Sequence, residues 1–208
     1  FKTVSELKKK IHFNHEIILI DDLSTDKTWI KMKKCKKKYK NILIFKNSSK
    51  GLGNAISLGV RKSLKKYVVI FMSDLSDDID DLQKYYSIIT KRKIDAVFGS
   101  RFIYGSKVYN YPIVKKILNR IFNNLVRIMF FSKYNDFTNA FKIYDKKIIK
   151  KLEPFVSENF NIFLELPLKI IGRGYKYKII PISWRNRNKG VSKFKLKELG
   201  SKYLFTLL

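Results

Sequence analysis

The first half of this chain is built on an alternation. Short β-branched and aromatic runs, Glu16–Ile20, Ile42–Phe45, Tyr67–Met72 and Ala96–Phe98, are separated by stretches with helical spacing at about 26–39, 52–66 and 79–92. In the second of these, Leu52, Ala55, Ile56, Gly59, Val60, Ser63 and Leu64 fall on one stripe of a helix. Strand–helix alternation of this kind predicts an α/β fold with a parallel, doubly wound sheet. In such sheets ligands bind beyond the carboxyl ends of the strands. The residues that follow each run are therefore the first place to look for chemistry.

The second half has a different texture. Residues 113–131 predict a long apolar-basic helix. The stretch Asp136–Asp145 reads as polar and irregular, Phe160–Ile171 as a helix with Pro167 inside it, and Tyr177–Ile182 as a late strand. A basic loop with one glycine follows, Trp184–Lys193, and then an amphipathic helix at about 195–208. We expect residues 1–194 to form the catalytic domain and 195–208 a membrane-proximal helix. The chain opens on Phe1 and stops within an apolar stretch, Tyr203 to Leu208, so it reads as a piece of a longer protein.

Composition narrows the class. Hydrophobic residues make up 45% of the 208, enough for a packed core. The single Cys35 excludes an internal disulfide and a four-cysteine or Cys2His2 zinc site. The net charge of +28 favours anionic partners: nucleic acid, acidic lipid headgroups or phosphorylated substrates. No helix-turn-helix, zinc-finger or RNP motif accompanies it, so a nucleic-acid-binding protein is the weaker reading.

Four strand-end motifs stand out. Asp21-Asp22-Leu23-Ser24-Thr25-Asp26 offers carboxylates to a base or ribose, or a helix-capping turn. Lys50-Gly51-Leu52-Gly53-Asn54 lets backbone N–H groups approach a phosphate at a helix start, or makes a tight turn. Ser73-Asp74-Leu75-Ser76-Asp77-Asp78 can hold a hard cation, or cap the helix after it. Gly99-Ser100-Arg101 places a guanidinium where it can clamp a phosphate.

In order and spacing these motifs resemble the family 2 glycosyltransferases, in the branch of dolichol-phosphate mannose synthase and its polyprenyl-phosphate relatives. Asn135-Asp136-Phe137-Thr138-Asn139-Ala140-Phe141-Lys142 is similar to that branch's D-x-T-x-x-F-[KR] segment. Trp184-Arg185-Asn186-Arg187 with Gly190-Val191-Ser192-Lys193-Phe194 is similar to its R-x-x-G-x-S-K-[FL] loop. The resemblance runs from about Glu16 to Phe194. It departs from the family at two points: the usual opening strand with Pro-x-x-Asn-Glu is absent, and Met72 stands at the first position of the Asp-x-Asp metal motif.

The resemblance implies a GT-A-like, mostly parallel sheet without its usual first strand. It implies an inverting hexosyltransferase with a GDP-mannose or UDP-glucose type of donor and a polyprenyl or dolichyl phosphate acceptor. A glycan acceptor is the alternative within transferases. Asp74, Arg101 and Asp136 become the expected catalytic residues, and Asp22, Gly51, Asn54 and Asp74 the nucleotide-sugar site. Arg101, Arg187, Ser192 and Lys193 are expected at the acceptor phosphate, and Asp74 with Ser76 at a Mg2+ or Mn2+ ion. The expected location is the cytoplasmic face of a membrane, against an anionic surface.

Overall fold

A computed structural model describes residues 2–186. The amphipathic helix expected at 195–208, and Arg187, Ser192 and Lys193, lie outside the described residues. Helix α1 (Lys2–Lys10) comes first, with Val4, Leu7 and then Ile11 buried at helical spacing. The alternation predicted from sequence follows: β1 (Ile17–Asp21), α2 (Thr28–Lys38), β2 (Ile42–Lys46), α3 (Leu52–Lys62), β3 (Tyr67–Ile70), α4 (Ile79–Arg92) and β4 (Ala96–Ser100). Short β5 (Lys107–Tyr109) leads to the long α5 (Ile113–Met129). Then come β6 (Lys142–Asp145), α6 (Lys146–Lys151), α7 (Ile162–Gly172), β7 (Tyr177–Pro181) and β8 (Ser183–Arg185).

Three sheets result. β1 pairs with β2 in parallel, and β5 with β8 in parallel. The central sheet runs in the order β3-β6-β4-β7. β4 and β7 are parallel, whereas β6 lies antiparallel between β3 and β4. The sequence reading placed no strand here, since Lys-Ile-Tyr-Asp is too short and too polar to show a period. Its burial comes from neighbours on both sides: Lys142, Ile143 and Tyr144 are all closed to solvent. A fully parallel sheet therefore becomes a mostly parallel one. Among the described residues β1 pairs only with β2, and β3 pairs in its sheet only with β6, so the sheet is interrupted between them.

Strand geometry sends alternate side chains to opposite faces. From β4, Ala96 and Phe98 enter one apolar cluster with Val126, Tyr134, Phe137 and Tyr144. Val97 enters the other with Leu82, Tyr85, Ile89 and Phe141. Glu16, just before β1, accepts hydrogen bonds from the backbone N–H groups of Leu64 and Lys65, just before β3, at 2.6 and 3.0 Å. The two strands thus start at one level.

Candidate active site

The carboxyl ends of β1 and β2 are laced together by one side chain. The Asp22 carboxylate accepts from Asn47 Nδ2 and from the Gly51 backbone N–H, both at 2.8 Å. Asn54, one turn into α3, donates to Ser49 Oγ at 2.9 Å. So Asp22, Gly51 and Asn54, separated in sequence, share one corner. The glycines have a packing reason of their own. Gly51 sits at φ 147°, where side chains are strained, and a Cβ there would lie 2.5 Å from the Glu158 carbonyl oxygen. A Cβ on Gly53 would lie 1.8 Å from the Ser157 carbonyl oxygen, and the Gly53 N–H already donates to Glu158 O at 2.7 Å.

The 156–158 backbone is in turn fixed by Glu165 on α7. Its carboxylate accepts from the N–H groups of Val156 and Ser157 at 3.1 and 2.8 Å and pairs with Lys169 at 2.6 Å. Burial alone would raise its pKa, but these partners hold it below the ordinary value. A cleft of about 270 Å³ adjoins this corner, lined by Asn47, Ser48, Asn54, Arg61 and the 153–155 segment among others.

After β3 the chain turns sharply, with Leu75 at φ 58°. Asp74 is exposed and accepts from the Ser76 N–H at 3.1 Å, while Ser76 itself is buried. Met72 packs against the apolar core and supplies no oxygen. The next acid, Asp77, is buried, and among the described residues its Oδ1 has no hydrogen-bond partner. Burial pushes its pKa up to about 7, against the pull of Arg101.

Among the described residues no three acidic, His or Cys side chains converge on one point. The turn therefore does not form an all-protein metal cage. It does fit a Mg2+ or Mn2+ ion held through one carboxylate, Asp74, with substrate phosphates and water completing the shell, which is how magnesium is commonly bound. Ser76 places its backbone N–H on that carboxylate and its hydroxyl two residues further on.

The end of β4 carries the tightest polar arrangement. Asp136 Oδ2 accepts from the Arg101 backbone N–H and from Nε, both at 2.9 Å, and Oδ1 accepts from Nη2 at 2.7 Å. Both residues are buried, and the rings of Phe102, Tyr111 and Trp184 surround the guanidinium at 5.4–5.5 Å. Burial opposes the charge on Arg101, but Asp136 outweighs it and its pKa stands above the usual. Arg101 was expected to face an acceptor phosphate. It is buried, with Nε and Nη2 each giving one hydrogen bond to Asp136.

Ser100 Oγ bonds Asn135 Oδ1 at 2.6 Å, and Tyr134 Oη and Asn139 Nδ2 both donate to Gly99 O. Lys142, wholly buried, donates to the carbonyls of Phe137, Asn139 and Phe163. The last is instructive. Pro167 has no N–H for the carbonyl four residues back, which is Phe163, and Lys142 takes that acceptor. Burial lowers the Lys142 pKa to about 7.

Sequence reasoning missed the roles of Lys142 and Asp77. The F-[KR] pattern marked the position of Lys142, but nothing in spacing showed that its ammonium would be buried. The chain leading to Arg187 was also unforeseen in its tether. Arg185 N–H donates to Ser76 O at 2.9 Å, Trp184 bridges to Asp77, and the Ser183 N–H donates to Asp81 at 2.6 Å. Residues Ser183–Arg185 thus lie against the Asp74–Asp77 turn and the start of α4. A cleft of about 320 Å³ lies there, lined by Ser76, Asp77, Tyr109, Trp184 and Arg185 among others.

The sequence profile described as glycosyl transferase family 2 matches residues 2–153. This chain belongs to glycosyl transferase family 2. Within that family it is 28% identical over 190 residues to the dolichol-phosphate mannosyltransferase of Pyrococcus furiosus, covering 89% of this chain and 52% of that protein. It is 28% identical over 201 residues to the dolichyl-phosphate beta-glucosyltransferase of Saccharomyces cerevisiae, covering 87% and 60%. The chain thus spans about half to three-fifths of these two relatives. A crystal structure of glucosyl-3-phosphoglycerate synthase from Mycobacterium tuberculosis, in complex with Mn2+, UDP and phosphoglyceric acid, superposes with a TM-score of 0.75. That match covers 100% of this chain and 72% of the other at 15% identity. At that identity the likeness speaks for the fold, which is GT-A-like.

Proposed function

We propose that this family 2 member transfers a hexose from a nucleoside diphosphate sugar to a polyprenyl or dolichyl phosphate. The observation that carries the proposal is the exposed Asp74 carboxylate just past β3, whose neighbour Ser76 accepts at its carbonyl from the Arg185 N–H of β8. The names of the relatives at 28% identity support the lipid-phosphate acceptor.

In this reading Asp22, Gly51 and Asn54 form the nucleoside corner, with Asp22 holding the loop's shape. Asp74, beside Ser76, would hold a Mg2+ or Mn2+ ion, which would supply charge stabilisation for the departing diphosphate. The acceptor is already an anion at neutral pH, so no base is needed to remove a proton. Its phosphate oxygen forms a bond to the anomeric carbon while the bond to the diphosphate breaks, and the diphosphate leaves with the electron pair. Configuration at that carbon inverts. Positioning and charge compensation do the remaining work. Arg101 acts from within its pair with Asp136, as a buried positive centre below the acceptor region. Arg187, Ser192 and Lys193 are proposed to meet the acceptor phosphate directly.

We place the protein at the cytoplasmic face of a membrane. No helix among the described residues is long and apolar enough to cross one. Among the described residues the exposed lysines are spread over separate elements, α2, the end of α4, α5 and α6, which is how scattered rather than patterned charge looks. The test is a donor panel, GDP-mannose and UDP-glucose first, with polyprenyl phosphate as acceptor. Transfer of one hexose to the lipid phosphate supports the reading. Donor hydrolysis without transfer, or transfer only to a glycan, contradicts it.

A further inference from the structure

Helix α5 turns a wide apolar arc to solvent. Ile113, Val114, Ile117, Ile121, Leu125 and Ile128 are each between 49% and 75% exposed. At 3.6 residues per turn these positions fall within an arc of roughly 120°. Just past the helix, Phe131 is 97% exposed. The side turned toward the protein sets Val126 and Phe122 into the core and carries a polar set beside them. Asn119 and Asn123 both donate to Thr138 Oγ1, at 2.7 and 3.2 Å, and Asn123 Oδ1 accepts from the Thr138 N–H at 3.3 Å. Arg120 donates to the Asn135 carbonyl at 3.0 Å. Rotating the helix to bury its apolar side would break this set, so the exposed face is locked outward.

We propose that this face of α5 is a docking surface for an anionic lipid membrane, with the helix lying flat in the headgroup region. Charge selects the occupant. Lys115, Lys116, Arg127 and Lys133 flank the apolar arc and are exposed, and no Asp or Glu occurs between Ala96 and Asn135. A second copy of the same face would bring these cations together, whereas acidic headgroups neutralise them. The helix spans about 25 Å at 1.5 Å per residue and is not a membrane-crossing segment. Its bonds to Asn135 and Thr138 flank Asp136, so docking sets the Arg101–Asp136 pair close to headgroup level, where a lipid phosphate resides.

The purpose of this surface rests on the lipid-phosphate reading above, while its binding does not. The test is co-sedimentation of the 208-residue chain with phosphatidylcholine vesicles, with and without phosphatidylserine. Beside it runs sugar transfer to a short-chain, water-soluble polyprenyl phosphate. Wild-type protein should bind the acidic vesicles and release them as salt rises. The double variant Ile117→Glu/Ile121→Glu should bind them at least about tenfold more weakly. Its circular dichroism and soluble-acceptor transfer should stay unchanged. Lys115→Gln/Lys116→Gln should lose the preference for acidic over neutral vesicles.

Absence of wild-type binding overturns the proposal, and so does full binding by the Ile117/Ile121 variant. A dimer in the wild type that the same variant dissolves also overturns it, since a second copy then covers the face. If vesicle binding follows these predictions but no protein transfers sugar to any polyprenyl phosphate, the docking surface stands and the proposed function falls.

Discussion

The Arg101 guanidinium and the Asp136 carboxylate meet at two points, 2.7 and 2.9 Å apart, inside the protein. A buried pair of this kind is costly to break from one side, because the remaining charge is left without compensation. Asp136→Ala should therefore destabilise the fold by about 3–5 kcal/mol. The double variant Arg101→Met/Asp136→Leu should recover much of that loss. Denaturant unfolding of the three proteins checks both statements.

The close approach of Gly53 to the Ser157 carbonyl gives a second prediction. Gly53→Ala must push two backbone segments apart, so it should cost about 1–3 kcal/mol in unfolding experiments. Because Asp22 and Gly51 share that corner, nucleotide affinity should fall as well. Calorimetric titration with GDP and UDP reads the second effect.

How far the sequence led is visible in these same residues. The strand–helix alternation placed β1 to β4 within a residue or two, because short β-branched and aromatic runs set those strands. It could not place β6, whose burial is created by its neighbours. The strand-end motifs located Asp22, Gly51, Asn54, Asp74, Ser76 and Arg101, and the family segment marked Asp136. Spacing could not reveal that Arg101 turns inward onto Asp136, nor that the glycine pair packs against the 157–158 backbone. These depend on residues more than thirty positions away. For the 113–131 helix the sequence left packing on the domain and an interfacial position equally open, since a helical period states that one side is apolar and not which way it points.

Asp77 sets a pH dependence. Its folded pKa of about 7 lies above the ordinary 3.8, because burial disfavours the charged form. The folded state then holds the proton more tightly than the unfolded state between these values. Its contribution to stability is full below pH 4 and is lost as pH rises through 7, by an amount on the order of a few kcal/mol. Asp77→Asn removes the titration, so the fall in stability between pH 4 and 7 should flatten. A series of unfolding curves across that range, wild type against variant, tests this. An unchanged slope would assign the pH dependence to other groups.

Arg187 and Lys193 are proposed to act on the acceptor. Arg187→Ala and Lys193→Ala should each lower transfer to polyprenyl phosphate by roughly ten- to a hundredfold, in line with loss of a charge-assisted phosphate contact. Nucleotide affinity, set at the Asp22 corner and Asp74, should change little. Turnover measured beside donor calorimetry separates the two effects, and an equal loss in both would remove the loop from the acceptor site.

The central claim is that Asp74 organises metal-assisted departure of the nucleoside diphosphate during transfer to a lipid phosphate. The most direct measurement is the rate of labelled hexose transfer to polyprenyl phosphate as Mg2+ or Mn2+ is titrated, for wild type and Asp74→Ala. The account predicts transfer that chelation abolishes in the wild type, and a variant that folds normally yet stays at least about a hundredfold slower at any metal concentration. Transfer by Asp74→Ala at near wild-type rate, or wild-type transfer indifferent to chelation, would contradict it.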